Sequence, residues 1–247
     1  VKVAMQSGKR AICAGPGNPP AVVDKSADIR KTAEDLVLGA SFDHNLPCTC
    51  EKEVFSVSSI TDQLKNSMKQ YGAVEISGEN IGRLERVIFK DAGNLGGHAV
   101  MNAKWIGQPA HAIMEEAGLP ADEKTRLIIL EVEADHPLVK TEQMMPVLPI
   151  VRVNSFQEAV DRAYEAEQGF HHTAGIHSLD IRNLSHMAKV MNTSLFVKNG
   201  PHYAGLGYQA EGYTSFSIGT FTREGLTTAK TFTWERRCVL VDHFRIV

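Results

Sequence analysis

Long runs of one charge are missing from this chain. Its 26 Lys and Arg are offset by 29 Asp and Glu over 247 residues, a net charge of −3. That balance offers no basic stripe to nucleic acid and no polybasic segment to an anionic membrane surface. Long apolar runs are missing too: none approaches the roughly 20 residues that a bilayer-spanning helix needs. No charged-then-apolar leader opens the sequence, so secretion is not expected. Cysteine is scarce, with four at irregular spacing, Cys13, Cys48, Cys50 and Cys238. That pattern suits free thiols in a reducing compartment rather than a disulfide framework. The GxGxxG and Walker spacings are absent, as are internal repeats, low-complexity tracts and polar linkers. What remains is an ordinary globular composition, 43% hydrophobic and 22% charged, long enough for one large core or two small ones.

Hydrophobic periodicity then divides the chain. Ala11–Ala14 reads as a short strand that ends in Gly15-Pro16-Gly17-Asn18-Pro19-Pro20, turn chemistry throughout. Its prolines remove donors that a phosphate would want, so a turn is the better reading than a phosphate loop. Ala21–Val23 is a second strand. Asp28 starts a helix whose Ile29, Ala33, Leu36, Val37 and Ala40 share a face. Glu53–Ser58 is a strand, and Thr61 caps a helix through Tyr71. Ala73–Ser77 is a weak strand, Ile81 to Ile88 a helix, and Gly93–Gly97 a flexible link. Pro109 opens a helix through Glu116, which Gly118 and Pro120 end. Strands at Arg126–Val132, Val147–Val153, Thr173–His177 and Ser194–Val197 alternate with helices capped by Ser155 and Asp180. This alternation predicts an α/β fold, a parallel sheet wrapped by helices with right-handed crossovers. The Gly-, Thr- and Tyr-rich segment from Gly205 differs in character and ends in an apolar strand, Cys238–Val241.

The chemistry centres on Phe42-Asp43-His44-Asn45-Leu46-Pro47-Cys48-Thr49-Cys50-Glu51-Lys52-Glu53. Pro47 fixes its own φ and biases Leu46 away from helix. Cys48 is therefore expected on a turn after a helix. A thiol on a loop is a candidate nucleophile; a lone cysteine is also often a small buried hydrophobe. From this stretch alone both readings stay open.

Asp43-His44-Asn45-Leu46-Pro47-Cys48 followed by Glu51-Lys52 resembles the nucleophile segment of the CoA-acylating aldehyde dehydrogenases. The resemblance is to the propanal and ethanal enzymes of propanediol- and ethanolamine-using bacterial microcompartments. Cys13–Pro20, Glu142–Pro149 and Gly200–Gly212 with the tail to Cys238 resemble the same family in the same order. The likeness covers essentially the whole chain but only the second half of the family's length. It implies three parts: residues 1–40 leading from the dinucleotide-binding part, a catalytic α/β domain over 41–212, and a segment 213–247 that ends in an assembly-type strand.

The resemblance also implies roles. Cys48 would add to an aldehyde to give a thiohemiacetal, lose hydride to the nicotinamide, and keep a thioester. Its backbone N–H would be one donor to the alkoxide. Hydrolytic members of the superfamily carry a water-activating glutamate where this chain has Ala14. A methyl group is no general base, and such a base contributes about 10²–10⁴ in rate, so transfer to a thiol, coenzyme A, is implied. Glu142 matches the glutamate that binds the nicotinamide ribose. Met144 falls where the family often has an aromatic residue beside the nicotinamide, and Gly15 is counted with them on the cofactor side. The implied cofactor and substrates are NAD, coenzyme A and a short-chain aldehyde. The implied setting is a homo-oligomer in the cytoplasm inside a bacterial microcompartment, its shell contact made through the family's first half. Without that half, the chain alone is not expected to couple aldehyde oxidation to NAD reduction. No metal is expected: His44, Cys48 and Cys50 lack a second ligand pair, and zinc would quench a catalytic thiolate. Cys13 and Cys238 read as buried packing residues, and His171-His172 as a strand entry. The competing readings are a hydrolytic aldehyde dehydrogenase and a non-catalytic assembly module.

Overall fold

Seven parallel strands form the centre of the molecule, in the order β3-β6-β7-β2-β1-β8-β9. A computed structural model describes residues 1–94 and 97–242. In chain order its first half holds α1 (Lys2–Gln6), β1 (Pro20–Val23), α2 (Ile29–Ser41), β2 (Glu53–Val57), α3 (Ser58–Gln70), β3 (Ala73–Glu75), α4 (Glu79–Ile88) and β4 (Phe89–Asp91). Then come β5 (Val100–Met101), α5 (Ala110–Glu116), β6 (Leu127–Glu131), α6 (Pro137–Lys140), β7 (Val147–Val153), α7 (Phe156–Glu167), β8 (Thr173–His177), α8 (Ile181–Met191), β9 (Leu195–Lys198), β10 (Ile218–Gly219) and β11 (Gly225–Leu226). The predicted α/β class therefore holds.

Strand order explains the layers. From β1 the chain moves one way across the sheet, to β2 and β3; from β7 it moves the other way, to β8 and β9. Right-handed crossovers in opposite directions put their helices on opposite faces. So α2 packs on α3 and α7 packs on α8. The strands are buried on both faces, and β1, β2 and β8 have no exposed residue. One core joins these strands to Ala33, Leu36 and Val37 of α2, Leu64 and Met68 of α3, and Ala159, Val160 and Ala163 of α7. A second core gathers α4, α5 and one side of β6 around Leu84, Ile88, Ile113 and Met114.

Local signals set most of the boundaries. Asp28 caps α2 by accepting from the Lys31 N–H at 3.1 Å. Ser155 and Asp180 cap α7 and α8 in the same way. Thr61 is a correction: α3 begins at Ser58, and the Thr61 hydroxyl lies inside it, donating back to the Val57 carbonyl at 3.0 Å, the usual alternative to capping for a threonine. Ala11–Ala14 forms no strand; the backbone N–H groups of Cys13 and Gly15 instead donate to the hydroxyls of Thr222 and Thr220 in the tail. Cys238–Val241 forms no strand either, having no ladder partner among the described residues; Val239 and Val241 are 70% and 75% exposed. Cys238 is likewise exposed rather than buried, whereas Cys13 is buried. Of the link at Gly93–Gly97, residues 95–96 lie outside the described residues, and the short antiparallel pair β4–β5 flanks it.

Leu46 departs from the expected bias as well. It adopts φ −66° and ψ −41°, helical values, directly before Pro47. Asp43, His44 and Asn45 precede it with positive φ of 46°, 53° and 65°. Non-glycine residues hold that left-handed region only where side-chain contacts enforce it, and Asn45 supplies them here.

Candidate active site

Four segments that enter neighbouring strands meet at the amino ends of the sheet. Gly17 precedes β1, Cys48 precedes β2, Glu142 precedes β7 and His172 precedes β8, and the strand order β7-β2-β1-β8 makes the four loops adjacent. Open parallel sheets more commonly bind ligands at the carboxyl ends of their strands. Here the tail closes over the opposite end.

Cys48 sits on a turn after α2, as expected, with the Cys50 N–H donating to the Pro47 carbonyl at 3.1 Å. Cys48 is half-buried and lines a cleft of about 280 Å³ with Asp43, Leu46, Pro47, Thr49, Leu206, Phe216 and Ile218. Burial raises the thiol pKa and the Glu142 charge raises it further, while Lys52 pulls it down.

Asn45 and Lys52 hold the turn. The Asn45 amide donates to the carbonyls of Ala40 (2.8 Å) and Glu51 (3.0 Å). The Lys52 ammonium donates to the Asn45 side-chain oxygen (2.6 Å), the Asn45 carbonyl (2.9 Å) and, at 3.5 Å, the Pro47 carbonyl. Both residues are buried. From below, Glu51 accepts from the backbone N–H of His202 at 2.8 Å, and the His202 ring lies 3.2 Å from the Thr49 carbonyl.

Glu142 is half-buried. Burial raises its pKa, against the pull of Lys52 and of the Gly17 backbone. Gln143, wholly buried beside it, donates to the Lys52 carbonyl at 3.1 Å and so ties the Glu142 loop to the Cys48 segment. Met144 has φ 50°, and its carbonyl accepts from the Gly107 N–H at 3.0 Å. Met144 is half-buried and does not line the Cys48 cleft. Gly15 lies on a neighbouring cavity of about 760 Å³ with Phe170, His171, Thr220 and Arg223. A side chain there would press on Thr220 Oγ1 at 2.9 Å. Ala14 is exposed.

His172 does enter β8, as its reading as a strand entry expects, and the structure also sets it beside Gly17. Its ring and the Cys48 carbonyl flank Gly17: a β-carbon on Gly17 would stand 3.1 Å from the ring and 3.0 Å from the carbonyl oxygen. Nδ1 is 2.8 Å from the Thr173 hydroxyl. Burial, with Lys52 nearby, pushes the imidazole down to about 4, so it is neutral at physiological pH. Cys50 is buried, its thiol pushed up to about 12, and His44 is exposed. Among the described residues no three His, Cys, Asp or Glu side chains converge as a metal set.

A half-buried cysteine on a cleft, a neutral imidazole across Gly17 from its carbonyl and a half-buried glutamate on the neighbouring loop thus lie together at this end of the sheet. Residues 124–232 match the aldehyde dehydrogenase family. The chain is 48% identical over 242 residues to an acetaldehyde dehydrogenase (acetylating) of Bilophila wadsworthia, spanning 96% of this chain and 50% of that protein. It is 44% identical to a propanal dehydrogenase (CoA-propanoylating) of Citrobacter freundii, over all of this chain and 52% of the relative. The propionaldehyde dehydrogenase of Rhodopseudomonas palustris, solved with bound propionyl-CoA, superposes with a TM-score of 0.92 at 45% identity, over 97% of this chain and 52% of that one. Fold and sequence together place the chain in the aldehyde dehydrogenase family, beside its CoA-acylating members. It spans about half the length of the curated relatives it matches.

Proposed function

We propose that this chain is the acyl-transfer part of a CoA-acylating aldehyde dehydrogenase that acts on a short aldehyde such as ethanal or propanal. The carrying observation is Cys48, which lines a small cleft, with neutral His172 across Gly17 from its carbonyl and alanine, not a carboxylate, at position 14. The thiolate sulfur of Cys48 adds to the aldehyde carbon to form a thiohemiacetal. A nicotinamide dinucleotide, NAD in our reading, would supply the acceptor for the hydride lost from that carbon, and Glu142 would hold it. Glu142 fits that group: it is half-buried on the loop before β7, and two carboxylate oxygens suit a vicinal ribose diol. Gly15 and Met144 are assigned to the same cofactor side.

The acyl group then sits on Cys48 as a thioester. The coenzyme A thiol attacks the thioester carbon, its proton passes to His172, and the Cys48 sulfur leaves as thiolate. His172, pushed down to about 4, is neutral at pH 7 but a weak base, so the step leans on the coenzyme A thiol itself, whose ordinary pKa of about 8.5 already leaves a few per cent thiolate. Water, with no general base at Ala14, competes poorly. The cleft walls Leu46, Leu206, Phe216 and Ile218 are apolar and suit a short alkyl chain. Assembly as a homo-oligomer and residence in a microcompartment follow from the same resemblance.

The test is direct. With the exposed Cys238 replaced by serine, incubation with propanoyl-CoA should leave one propanoyl group on Cys48 in a peptide mass map. Cys48→Ser should carry none. Acylation on Cys13 or Cys50 instead, or none at any cysteine, would overturn the reading.

A further inference from the structure

We propose that Lys52 is the internal cation of the nucleophile loop, a positioning residue that holds the Asn45–Cys48 turn by its carbonyl oxygens and favours the Cys48 thiolate. The inference rests on Cys48 being the nucleophile.

The geometry is unusual for lysine. The side chain is 0% exposed, although it lies in a Glu-Lys-Glu run that reads as surface. Its hydrogen-bond partners are neutral oxygens, two of Asn45 and one of Pro47. A buried ammonium costs several kcal/mol in effective desolvation, and hydrogen bonds must offset it. Arranging three oxygens of one short turn around it offsets that cost and fixes the turn. Asp43 to Asn45 then hold left-handed backbone, and Cys48 is delivered into its cleft.

The surroundings explain why a cation belongs there. The site lies beyond the carboxyl ends of α2 and α7, where helix dipoles carry partial negative charge. Glu142 adds a carboxylate. Burial, dipole and carboxylate all oppose a thiolate; Lys52 opposes them. The groups facing Lys52 are Cys48, Cys50, Glu51 and Glu53 of its own segment, Glu142 before β7, His172 before β8 and His202 after β9. Burial lowers the Lys52 pKa overall, against Glu142, the two thiols and Glu53, which favour its charged form. The same charge helps to keep His172 and His202 neutral. Lys52 thus stabilises the sulfur as anion and the imidazole in its neutral form.

Two measurements on the whole chain, both with Cys238→Ser, test this. The first is the pH profile of Cys48 alkylation by iodoacetamide in wild type and Lys52→Met, with folding checked by circular dichroism. A folded Lys52→Met should alkylate about tenfold more slowly at pH 8, its midpoint moved upward by about one unit, the scale of one nearby opposite charge. An unchanged midpoint overturns the inference and leaves the acyl-transfer reading standing. Wild-type Cys48 that resists alkylation at every pH overturns both. The second measurement needs no lysine variant. Coupling between two charges is reciprocal, so Cys48→Ser should lower the titration midpoint of carbon-13-labelled Lys52 by a similar amount. Identical Lys52 titrations with and without the thiol overturn the inference even if Lys52→Met does not fold.

Discussion

The carboxyl group of Glu51 accepts the backbone N–H of His202 at 2.8 Å, and each residue carries one buried side-chain atom with no hydrogen-bond partner among the described residues, Glu51 Oε2 and His202 Nε2. Burial pushes Glu51 up to about 8 and His202 down to about 3. Near pH 7 both are neutral, and they join the nucleophile segment to the turn after β9 without a charge between them.

That pairing gives stability a pH dependence with a defined sign. Folded Glu51 holds its proton to about pH 8 and unfolded glutamate only to about 4.5. Its contribution is full below 4.5 and is lost as pH rises through 8. His177 and His202, about 3 when folded against 6.5 ordinarily, contribute fully only above 6.5. Between pH 6.5 and 8 these two histidines add no slope and Glu51 does, by up to about 1.4 kcal/mol per pH unit for one proton. Urea unfolding across that window should show wild type losing stability relative to Glu51→Gln. A constant difference between the two would contradict the assignment.

Cys50→Ala should leave acylation and alkylation of Cys48 within about twofold, because the buried Cys50 thiol is pushed up to about 12 and its sulfur faces the Phe42 carbonyl at 3.7 Å. Only a modest loss of stability, on the order of 1 kcal/mol, is expected from the smaller side chain. Equal loss of reactivity in Cys50→Ala and Cys48→Ser would point to a shared role for the two thiols.

Ala14→Glu should raise the ratio of free acid to acyl-CoA formed from the Cys48 thioester. Position 14 is exposed beside the Gly15–Gly17 turn, so a carboxylate there fits sterically, and a well-aimed base contributes about 10²–10⁴. Product analysis with equal ratios in both proteins would show that this position does not select the acceptor.

Gly17→Ala puts a methyl group between the Cys48 carbonyl and the His172 ring, 3.0 and 3.1 Å away. Such overpacking costs about 1–3 kcal/mol. Acyl transfer from Cys48 to coenzyme A should slow more than alkylation of Cys48, since the first needs both groups in register and the second only the thiol. Parallel loss of both rates would argue against a joint role for His172.

The fold was legible where local chemistry decides it. Val147–Val153 and Thr173–His177 were read to the residue, and Asp28, Ser155 and Asp180 were recognised as caps, because apolar runs and cap side chains act within one turn. The Cys48 turn was legible from Pro47. Long-range pairing was not: Ala11–Ala14 has strand composition but is held by Thr220 and Thr222, some two hundred residues away. The support of the site was hidden for another reason. Glu51, Lys52 and Glu53 are each 0% exposed, and three adjacent charged residues ordinarily lie on the surface. His172 carried no local signal, because its place beside Gly17 follows from the adjacency of β1 and β8.

The central claim is that an acyl group on Cys48 leaves to a thiol rather than to water. The decisive measurement is a chase. Propanoyl-Cys48 is formed from propanoyl-CoA in the Cys238→Ser chain, freed of excess reagent, and followed by mass spectrometry at pH 7.5 with and without added coenzyme A. The adduct should clear at least about a hundredfold faster with coenzyme A, the lower end of what a missing water-activating base withholds, with acyl-CoA as product. Clearance at the same rate in buffer alone, with free propanoate as product, would contradict the account.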